Sequence, residues 1–379
     1  MFDVSMKLSI YGLLAIVVVA SIGYSQIPSR FDQWDKDKSG TLTKEELPKA
    51  LQKNFEKVDR DKNGSISREE DAAIRKRGKG KRENGGGEVG GVKRIPDLDY
   101  SGNENPRQML DLYLPEAASK DGAKLPLVCW IHGGGWQNGA KDRARFIEDL
   151  VKSGKFAGAS IGYRLTDEAQ WPSQIHDCKA AIRWLKANAD KYGYDAEKIA
   201  VWGSSAGGHL VAMLGVAHDV ENLEGTLGEH LDQTSEVACV VDYYGPAELL
   251  KMNEQGSSMD HDAAKSPESK LVGGPQQETR DVAKDASPIT HVTKDDEPIL
   301  IVHGTKDPLV PYQQSVEFKK NLDAAGVPAI FVTVEDAGHG KGFPPEVSKI
   351  AEQFITHHLL GEGDLPKDQT VKSVELKTR

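Results

Sequence analysis

Short apolar runs recur along the chain from residue 109 onward, and segments of mixed polarity with helical spacing separate them. Such runs, rich in Val, Ile and aromatic residues, are typical of strands that are buried on both faces. The runs occupy residues 109–114, 125–131, 156–163, 197–202, 237–244, 298–304 and 329–334. Their alternation with helices predicts an α/β domain with a mostly parallel sheet and helices on both faces. A functional site in such a domain lies at the carboxyl ends of the strands.

The predicted strand at 197–202 leads into a serine that lies between glycines. The chain continues as G-S-S-A-G at 203–207 and then as an apolar helical segment at 208–215. In a G-x-S-x-G elbow the serine lies on a strained turn from strand to helix, and small neighbours let other backbone pass close by. The pattern therefore predicts Ser205 as a nucleophile.

A second glycine-rich segment follows the predicted strand at 125–131. It reads H-G-G-G-W at 132–136, and successive glycines allow main-chain N–H groups to turn toward a developing negative oxygen. We expect an oxyanion hole formed by the N–H groups of Gly134, Gly135 and Ala206. His132 is expected to be a structural hydrogen-bonding residue.

An acid and a base are expected after the serine, in the order carboxylate then histidine. Asp307 follows the predicted strand at 298–304 and is the predicted acid, while His339 follows the strand at 329–334 and is the predicted base. Other candidates are weaker: His209 and His303 come too early for this order and are expected to pack near the site. Glu335 and Asp336 would have to fold back sharply to orient His339.

Together, the motifs HGGGW, GSSAGGHL, HGTKDPLVP and AGHG resemble the esterase and lipase branch of the α/β-hydrolases. The chain is most similar to feruloyl-esterase-like and hormone-sensitive-lipase-like carboxylesterases, over residues 92–361. The resemblance implies hydrolysis of a carboxylic ester through an acyl-enzyme, with no cofactor in the chemical step. Acetyl or feruloyl esters of polysaccharides are the expected substrates. Two alternatives stay open: an amidase or formamidase with the same triad, and a calcium-dependent interaction protein on a hydrolase scaffold.

Two acidic loops precede this domain and have the ligand spacing of EF-hands. Their ligand positions are occupied by Asp35, Asp37, Ser39, Thr41 and Glu46 in the first loop, and by Asp59, Asp61, Asn63, Ser65 and Glu70 in the second. This spacing supplies the oxygen ligands that Ca²⁺ requires. We expect a small all-α EF-hand pair with structural Ca²⁺, one helix at 47–58 serving both loops, and Leu42 beside Ile66. A protein or cell-surface partner of this pair is a further possibility that the sequence does not identify.

The rest of the chain predicts domain organisation and location. Lys7 followed by the apolar run 8–20 indicates a signal peptide over 1–25 and hence a secreted or periplasmic protein, with an uncleaved membrane anchor as the alternative. The predicted order continues with the EF-hand pair at 26–74, a basic then glycine-rich linker at 75–92, the hydrolase at 93–361, and a loosely ordered polar tail at 362–379. The net charge of −10 and the absence of aromatic residues from the basic cluster argue against a nucleic-acid partner.

Several further expectations concern the interior and the pocket. Cys129, Cys178 and Cys239 make an odd count, so they are expected to be buried thiols, with one bridge to Cys178 left open. Trp136 and Tyr163 are candidates for the acyl side of the pocket, Tyr243 and Tyr244 for the alcohol side. The segment 252–274 is a candidate mobile cover.

Overall fold

The computed structural model describes residues 34–47, 52, 55–68, 70, 91–116, 123–142 and 144–375. They belong to two compact units, which divide the chain between Lys81 and Arg82. The predicted signal peptide and most of the predicted linker lie outside the described residues. Within the described residues, no helix has the length and apolar character needed to cross a membrane.

The first unit contains the two acidic loops. Strand β1 (Thr41–Leu42) pairs antiparallel with β2 (Ile66–Ser67), and Leu42 lies opposite Ile66 as predicted. Helix α1 (Phe55–Val58) lies between the two strands in sequence and includes the described end of the predicted 47–58 helix. The hydrophobic core of this unit consists of Leu42, Leu47, Phe55 and Ile66.

The second unit is built on a nine-stranded sheet with the order β11-β10-β9-β8-β7-β5-β6-β4-β3. Its strands are β3 (Val92–Asp99), β4 (Met109–Pro115), β5 (Leu125–Ile131), β6 (Ala157–Ile161), β7 (Tyr194–Ser204), β8 (Cys239–Tyr243), β9 (Ile299–Gly304), β10 (Ala329–Glu335) and β11 (Gln369–Lys372). Only the pairings of β4 with β3 and β6 are antiparallel among the described strands of this sheet. The prediction of a mostly parallel sheet is therefore confirmed.

Helices cover both faces of this sheet, as predicted. They are α2 (Arg145–Lys152), α3 (Ser173–Ala187), α4 (Ala189–Tyr192), α5 (Ala206–Val216), α6 (Glu221–Glu224), α7 (Pro267–Val272), α8 (Arg280–Asp285), α9 (Gln313–Ala325) and α10 (Pro345–Leu360), with 3₁₀ turns at Leu249–Lys251 and Pro288–Thr290. Alternate residues of β7 enter opposite cores: Val201 packs in the core that contains α3, α5 and α9, whereas Trp202 packs in the core that contains α2 and α10. This period of two is the pattern of a strand buried on both faces.

The end of the chain differs from the prediction of a loose tail. Residues Gln369–Lys372 form β11, which pairs parallel with β10 and places Val371 opposite Val334. The N–H of Phe331 also donates to the Asp368 carboxylate at 2.8 Å. The open edge of β10 offers unpaired N–H and C=O groups, and these groups order a segment that has little apolar character of its own. The sheet of this unit therefore extends beyond residue 361, and its first described strand begins at Val92, the last residue of the predicted linker.

The three cysteines are buried free thiols, so the bridge left open for Cys178 does not form. Burial raises the pKa of Cys129 and Cys239 above the ordinary range for a thiol. Cys129 and Cys239 lie in strands, where a free cysteine packs as a small apolar residue.

Candidate active site

Ser205 lies at the junction between β7 and α5 in a strained backbone conformation, with φ of 56° and ψ of −123°. Two neighbouring glycines make this turn possible. A Cβ atom on Gly203 would lie 2.2 Å from the carbonyl oxygen of Gly207, and a Cβ on Gly207 would lie 2.1 Å from the carbonyl oxygen of Ile131. Because both obstacles are backbone, only glycine fits at these positions, and the sharp turn presents the serine at the carboxyl end of the strand.

The structure brings the three predicted triad residues together. The His339 ring has its Nε2 2.9 Å from Ser205 Oγ and its Nδ1 2.7 Å from Asp307 Oδ2. The ionised carboxylate only accepts, so Nδ1 carries the proton and Nε2 faces the serine hydroxyl as an acceptor. This is the arrangement in which a histidine can remove a serine proton.

Asp307 is held by hydrogen bonds from several directions. The N–H groups of Leu309 and Val310 donate to Oδ1 at 2.9 and 3.0 Å, and His303 Nε2 lies 3.2 Å from Oδ2. Burial of the carboxyl opposes its ionisation, but hydrogen bonds from His303 and His339 outweigh burial and hold the pKa of Asp307 well below its usual range. The carboxylate is therefore charged at neutral pH. The sequence predicted that His303 packs near the site or supports it from behind, and the structure places it behind the acid.

The predicted oxyanion loop lies beside the serine. Gly134 and Gly135 have φ angles of 120° and 58°, a region that favours glycine. Both glycines line the same cavity as Ser205, Ala206 and His339. Within the described part of the chain, the N–H groups of Gly134, Gly135 and Ala206 make no hydrogen bond to other residues. Three donors are thus available beside the serine hydroxyl.

Two other histidines near the site, His132 and His209, have structural roles, as expected. His132 Nδ1 lies 2.8 Å from the carbonyl oxygen of Gly133, and its ring stacks on Tyr163. His209 receives the indole N–H of Trp136 at 3.3 Å. Burial lowers the pKa of His132 and of His209 to about 4, so both are neutral at pH 7.

The rival carboxylates stand apart from the base. Asp336 forms an exposed ion pair with Lys306 at 2.7 Å, and no contact with His339 is found for Glu335 or Asp336 in the described structure. Asp307, not a residue of this turn, occupies the position beside Nδ1.

The cavity in front of Ser205 has a volume of about 640 Å³. Trp136 and Tyr244 line it as expected, whereas Tyr163 and Tyr243 are buried beneath and do not. The hydroxyl of Tyr163 donates to the carbonyl oxygen of His132, and the hydroxyl of Tyr243 donates to the carbonyl oxygen of Val347. Both rings therefore face the interior. The segment 252–274 forms part of the cavity wall, to which it contributes Met259, His261, Pro267 and Glu268.

The two acidic loops of the first unit have the geometry expected for calcium. One carboxylate oxygen from each of Asp35, Asp37 and Glu46 lies within 4.8 Å of the others, and the same holds for Asp59, Asp61 and Glu70. The sixth loop positions, Gly40 and Gly64, have φ angles of 82° and 88°, which allow the sharp turn between ligands. The other predicted ligands lie in the same loops. In the first loop Ser39 Oγ donates to the carbonyl oxygen of Thr41, and in the second loop Ser65 Oγ donates to Asn63 Oδ1. Hard oxygen donors at this spacing fit Ca²⁺.

Comparison with known families gives matches over both units. The BD-FAE family matches residues 110–322, which is more than half of the 379 residues. The TAP-like protein family matches 275–372, and the EF-hand family matches 29–49 and 51–70.

Several individual relatives are esterases. Esterase LipC of Mycobacterium tuberculosis is 31% identical over 240 residues, which cover 62% of this chain and 58% of that esterase. A solved truncated form of a carbohydrate esterase from gut microbiota is 36% identical with a TM-score of 0.67, covering 72% of this chain and 99% of that one. A bifunctional GH43-CE protein of Bacteroides eggerthii is 31% identical with a TM-score of 0.65, covering 70% of this chain and 38% of that one.

The chain thus spans less than three fifths of the length of the curated esterase. The family match nevertheless covers most of the sheet and the serine elbow. This protein therefore belongs to the BD-FAE family of α/β-hydrolases, with an EF-hand segment ahead of the hydrolase domain in its sequence.

Proposed function

We propose that this chain is a serine hydrolase that cleaves carboxylic esters through an acyl-enzyme on Ser205. The observation that carries the proposal is the continuous series of hydrogen bonds from Asp307 through His339 to Ser205. The three available N–H groups beside the serine add the second requirement of acyl transfer, a site for the oxyanion. The esterase relatives support the same chemistry.

In the first half-reaction, Ser205 Oγ attacks the ester carbonyl carbon while His339 Nε2 accepts the hydroxyl proton. The carbonyl oxygen becomes negatively charged and accepts hydrogen bonds from the loop and elbow N–H groups; loss of one such donor typically raises the barrier by about 3–4 kcal/mol. The bond to the alcohol oxygen then breaks, and His339 gives its proton to that oxygen. The free alcohol leaves, and the acyl group stays on Ser205.

In the second half-reaction, water replaces the alcohol. His339 removes a proton from the water as its oxygen attacks the acyl carbon, and the bond to Ser205 Oγ breaks with return of the proton to the serine. The carboxylic acid is released. Throughout, the charged Asp307 carboxylate orients the imidazole and stabilises its protonated form.

We infer that the alcohol part of the ester is a carbohydrate and that the acyl part is an acetyl or feruloyl group. A relative at 36% identity is described as a carbohydrate esterase, which supports this substrate class. The cavity of about 640 Å³ has room for a sugar ring beside the scissile bond.

We also propose that Ca²⁺ binds the two acidic loops and stabilises the first unit without taking part in the chemistry. Asp35, Asp37 and Glu46 would hold one ion, and Asp59, Asp61 and Glu70 the other. The basic and apolar start of the chain supports export from the cytoplasm. Amino-terminal sequencing of the mature protein would separate a cleaved signal peptide from a retained anchor.

The direct test measures hydrolysis of acetyl to octanoyl nitrophenyl esters, acetylated xylan and methyl ferulate by the wild type and by Ser205→Ala. We expect Ser205→Ala to lose turnover by a factor of about 10⁴ or more. Ser204→Ala, which changes the adjacent hydroxyl, is the matched control and should keep most activity. If the wild type cleaved amides but no ester, the amidase alternative would replace this proposal.

A further inference from the structure

Two ionisable side chains outside the triad lie in the wall of the active-site cavity. His261 and Glu268 come from the segment 252–274, and both line the cavity together with Ser205 and His339. Their side chains are only 1% and 5% exposed. Ionisable groups are seldom buried this deeply unless a partner or a ligand satisfies them.

Ser257 anchors one nitrogen of the His261 ring. His261 Nε2 lies 2.7 Å from Ser257 Oγ. That hydroxyl accepts the N–H of Met259 at 3.1 Å and also lies within hydrogen-bond distance of the carbonyl oxygens of Leu309 and Pro308, at 3.0 and 3.3 Å. The ring is therefore held at Nε2, whichever of the two atoms donates the proton between them.

The other ring nitrogen faces the carboxylate. His261 Nδ1 lies 3.0 Å from Glu268 Oε2. This distance is short enough for an ion pair when the ring is protonated.

This contact leaves hydrogen-bonding capacity unused. The two atoms are too poorly aligned for a hydrogen bond, and neither has another partner in the described part of the chain. A buried carboxylate without hydrogen bonds is strongly unfavourable. The backbone around the pair is nevertheless well anchored, since the His261 carbonyl oxygen accepts from Ser266 Oγ at 2.6 Å and from Gln276 Nε2 at 2.8 Å. The pair is thus held firmly in an unsatisfied state, as expected of a site that awaits a polar ligand.

The position of the pair relates it to the reacting ester. Pro267, next to Glu268, packs against the oxyanion loop, because a Cβ on Gly135 would lie 3.2 Å from the Pro267 Cβ. An ester whose carbonyl oxygen occupies the oxyanion site would therefore place its neighbouring groups near Glu268.

We propose that the His261–Glu268 pair recognises a hydroxyl group of the substrate, with the Glu268 carboxylate as acceptor. This inference rests on the proposed ester hydrolysis and identifies what selects sugar esters over simple aliphatic ones. A hydroxyl suits the pair better than a cation does, because it can donate to the Glu268 carboxylate and accept from the His261 ring, whereas a cation cannot accept. An aliphatic ester would leave the hydrogen-bonding capacity of the pair unused.

The test compares Glu268→Leu and Glu268→Gln with the wild type on three acetyl esters. A monoacetylated methyl xyloside carries free hydroxyls, cyclohexyl acetate has a ring without them, and acetylcholine carries a cation. We expect Glu268→Leu to lower kcat/KM for the xyloside on the order of tenfold or more, mainly through KM, and to change cyclohexyl acetate less than about threefold. Glu268→Gln, which keeps an acceptor oxygen, should recover part of the loss.

Three results would overturn the inference: equal losses on the xyloside and cyclohexyl acetate, no loss on the xyloside, or a loss confined to acetylcholine. The first would indicate a structural role, which thermal denaturation of each variant checks independently. Failure of the proposed function is distinguishable, since it would abolish ester turnover by the wild type itself.

Discussion

His303 lies directly behind the catalytic acid, with its Nε2 3.2 Å from Asp307 Oδ2, the same oxygen that binds His339. The His303 ring is itself fixed, because its Nδ1 lies 2.7 Å from Ser315 Oγ and its Nε2 also lies 3.0 Å from the carbonyl oxygen of Val310. A second histidine thus orients the carboxylate that orients the proposed base.

We predict that removing this contact weakens catalysis without weakening substrate binding. His303→Leu should lower kcat on the order of tenfold with little change in KM, because Asp307 Oδ2 loses its second hydrogen-bond donor. His303→Gln, which keeps a side-chain donor, should lose less. Steady-state kinetics on nitrophenyl acetate would check this, and a rise in KM at constant kcat would refute the positioning role.

The carboxylate itself is predicted to matter far more. Asp307→Asn should lower kcat by about 10³–10⁴, because a neutral amide neither holds the required tautomer nor stabilises the imidazolium. Asp336→Asn is the matched control, since this neighbouring acid is exposed and pairs with Lys306. Comparable losses in the two variants would contradict the assignment of Asp307.

Much of the candidate site could be predicted from the sequence because its signals are local. Ser205, Asp307 and His339 each follow an apolar strand, and strand ends meet at one edge of a parallel sheet. The glycines of the elbow are also local signals, because tight backbone approach leaves no other residue type.

The remaining features depend on contacts that no short pattern encodes. Residues 369–372 contain one valine among polar residues, and they become a strand only because the edge of β10 is available. His303 contacts Asp307 because the turn after β9 folds back over four residues. His261 and Glu268 meet across a segment without helical or strand periodicity, so only the tertiary structure places them in the cavity.

A substitution in the serine elbow, Gly207→Ala, should change stability through two opposing effects. Gly207→Ala should gain about 1 kcal/mol of helix propensity at its position in α5. The new Cβ would nevertheless lie 2.1 Å from the Ile131 carbonyl oxygen, so β5 or the elbow must move. We expect a loss of several kcal/mol in the free energy of unfolding, or no soluble protein.

Gly274→Ala is the control for this variant, since its Cβ would come no closer than 3.2 Å to a side-chain atom of Thr279. Thermal denaturation of both variants would decide the matter. A Gly207→Ala variant as stable as the wild type would show that the backbone contact is not limiting.

The buried carboxyl of Asp242 should make the stability of the protein depend on pH. Burial raises the pKa of this carboxyl to about 7, against the opposing hydrogen bond from the Gly245 N–H. The unfolded carboxyl, with its ordinary pKa of 3.8, ionises first as pH rises. Stability contributed by this group is therefore complete below about pH 4 and is lost as pH rises to about 7.

We expect the free energy of unfolding of the wild type, relative to Asp242→Asn, to fall across this window by up to about 1.4 kcal/mol per pH unit. The asparagine keeps an acceptor for Gly245 and does not ionise. Asp149→Asn, which alters an exposed carboxylate beside Lys152, should give a curve parallel to the wild type. Urea unfolding from about pH 4 to about pH 8 would measure all three, and parallel curves for Asp242→Asn and wild type would contradict the shifted pKa.

The calcium loops lead to a prediction that separates stability from turnover. Glu46 is the ligand at position twelve of the first loop, and its neighbour Glu45 is an exposed acid of equal charge outside the ligand set. Glu46→Gln should weaken Ca²⁺ binding by about tenfold or more, whereas Glu45→Gln should change it little, because coordination depends on position as well as charge. Calorimetric titration of the full chain would measure both affinities.

Ester turnover should be the same in calcium and in chelator for either variant, because the triad and its oxyanion donors all come from the second unit. A loss of turnover on chelation would contradict this expectation, since it would require a direct link between the bound ion and the active site.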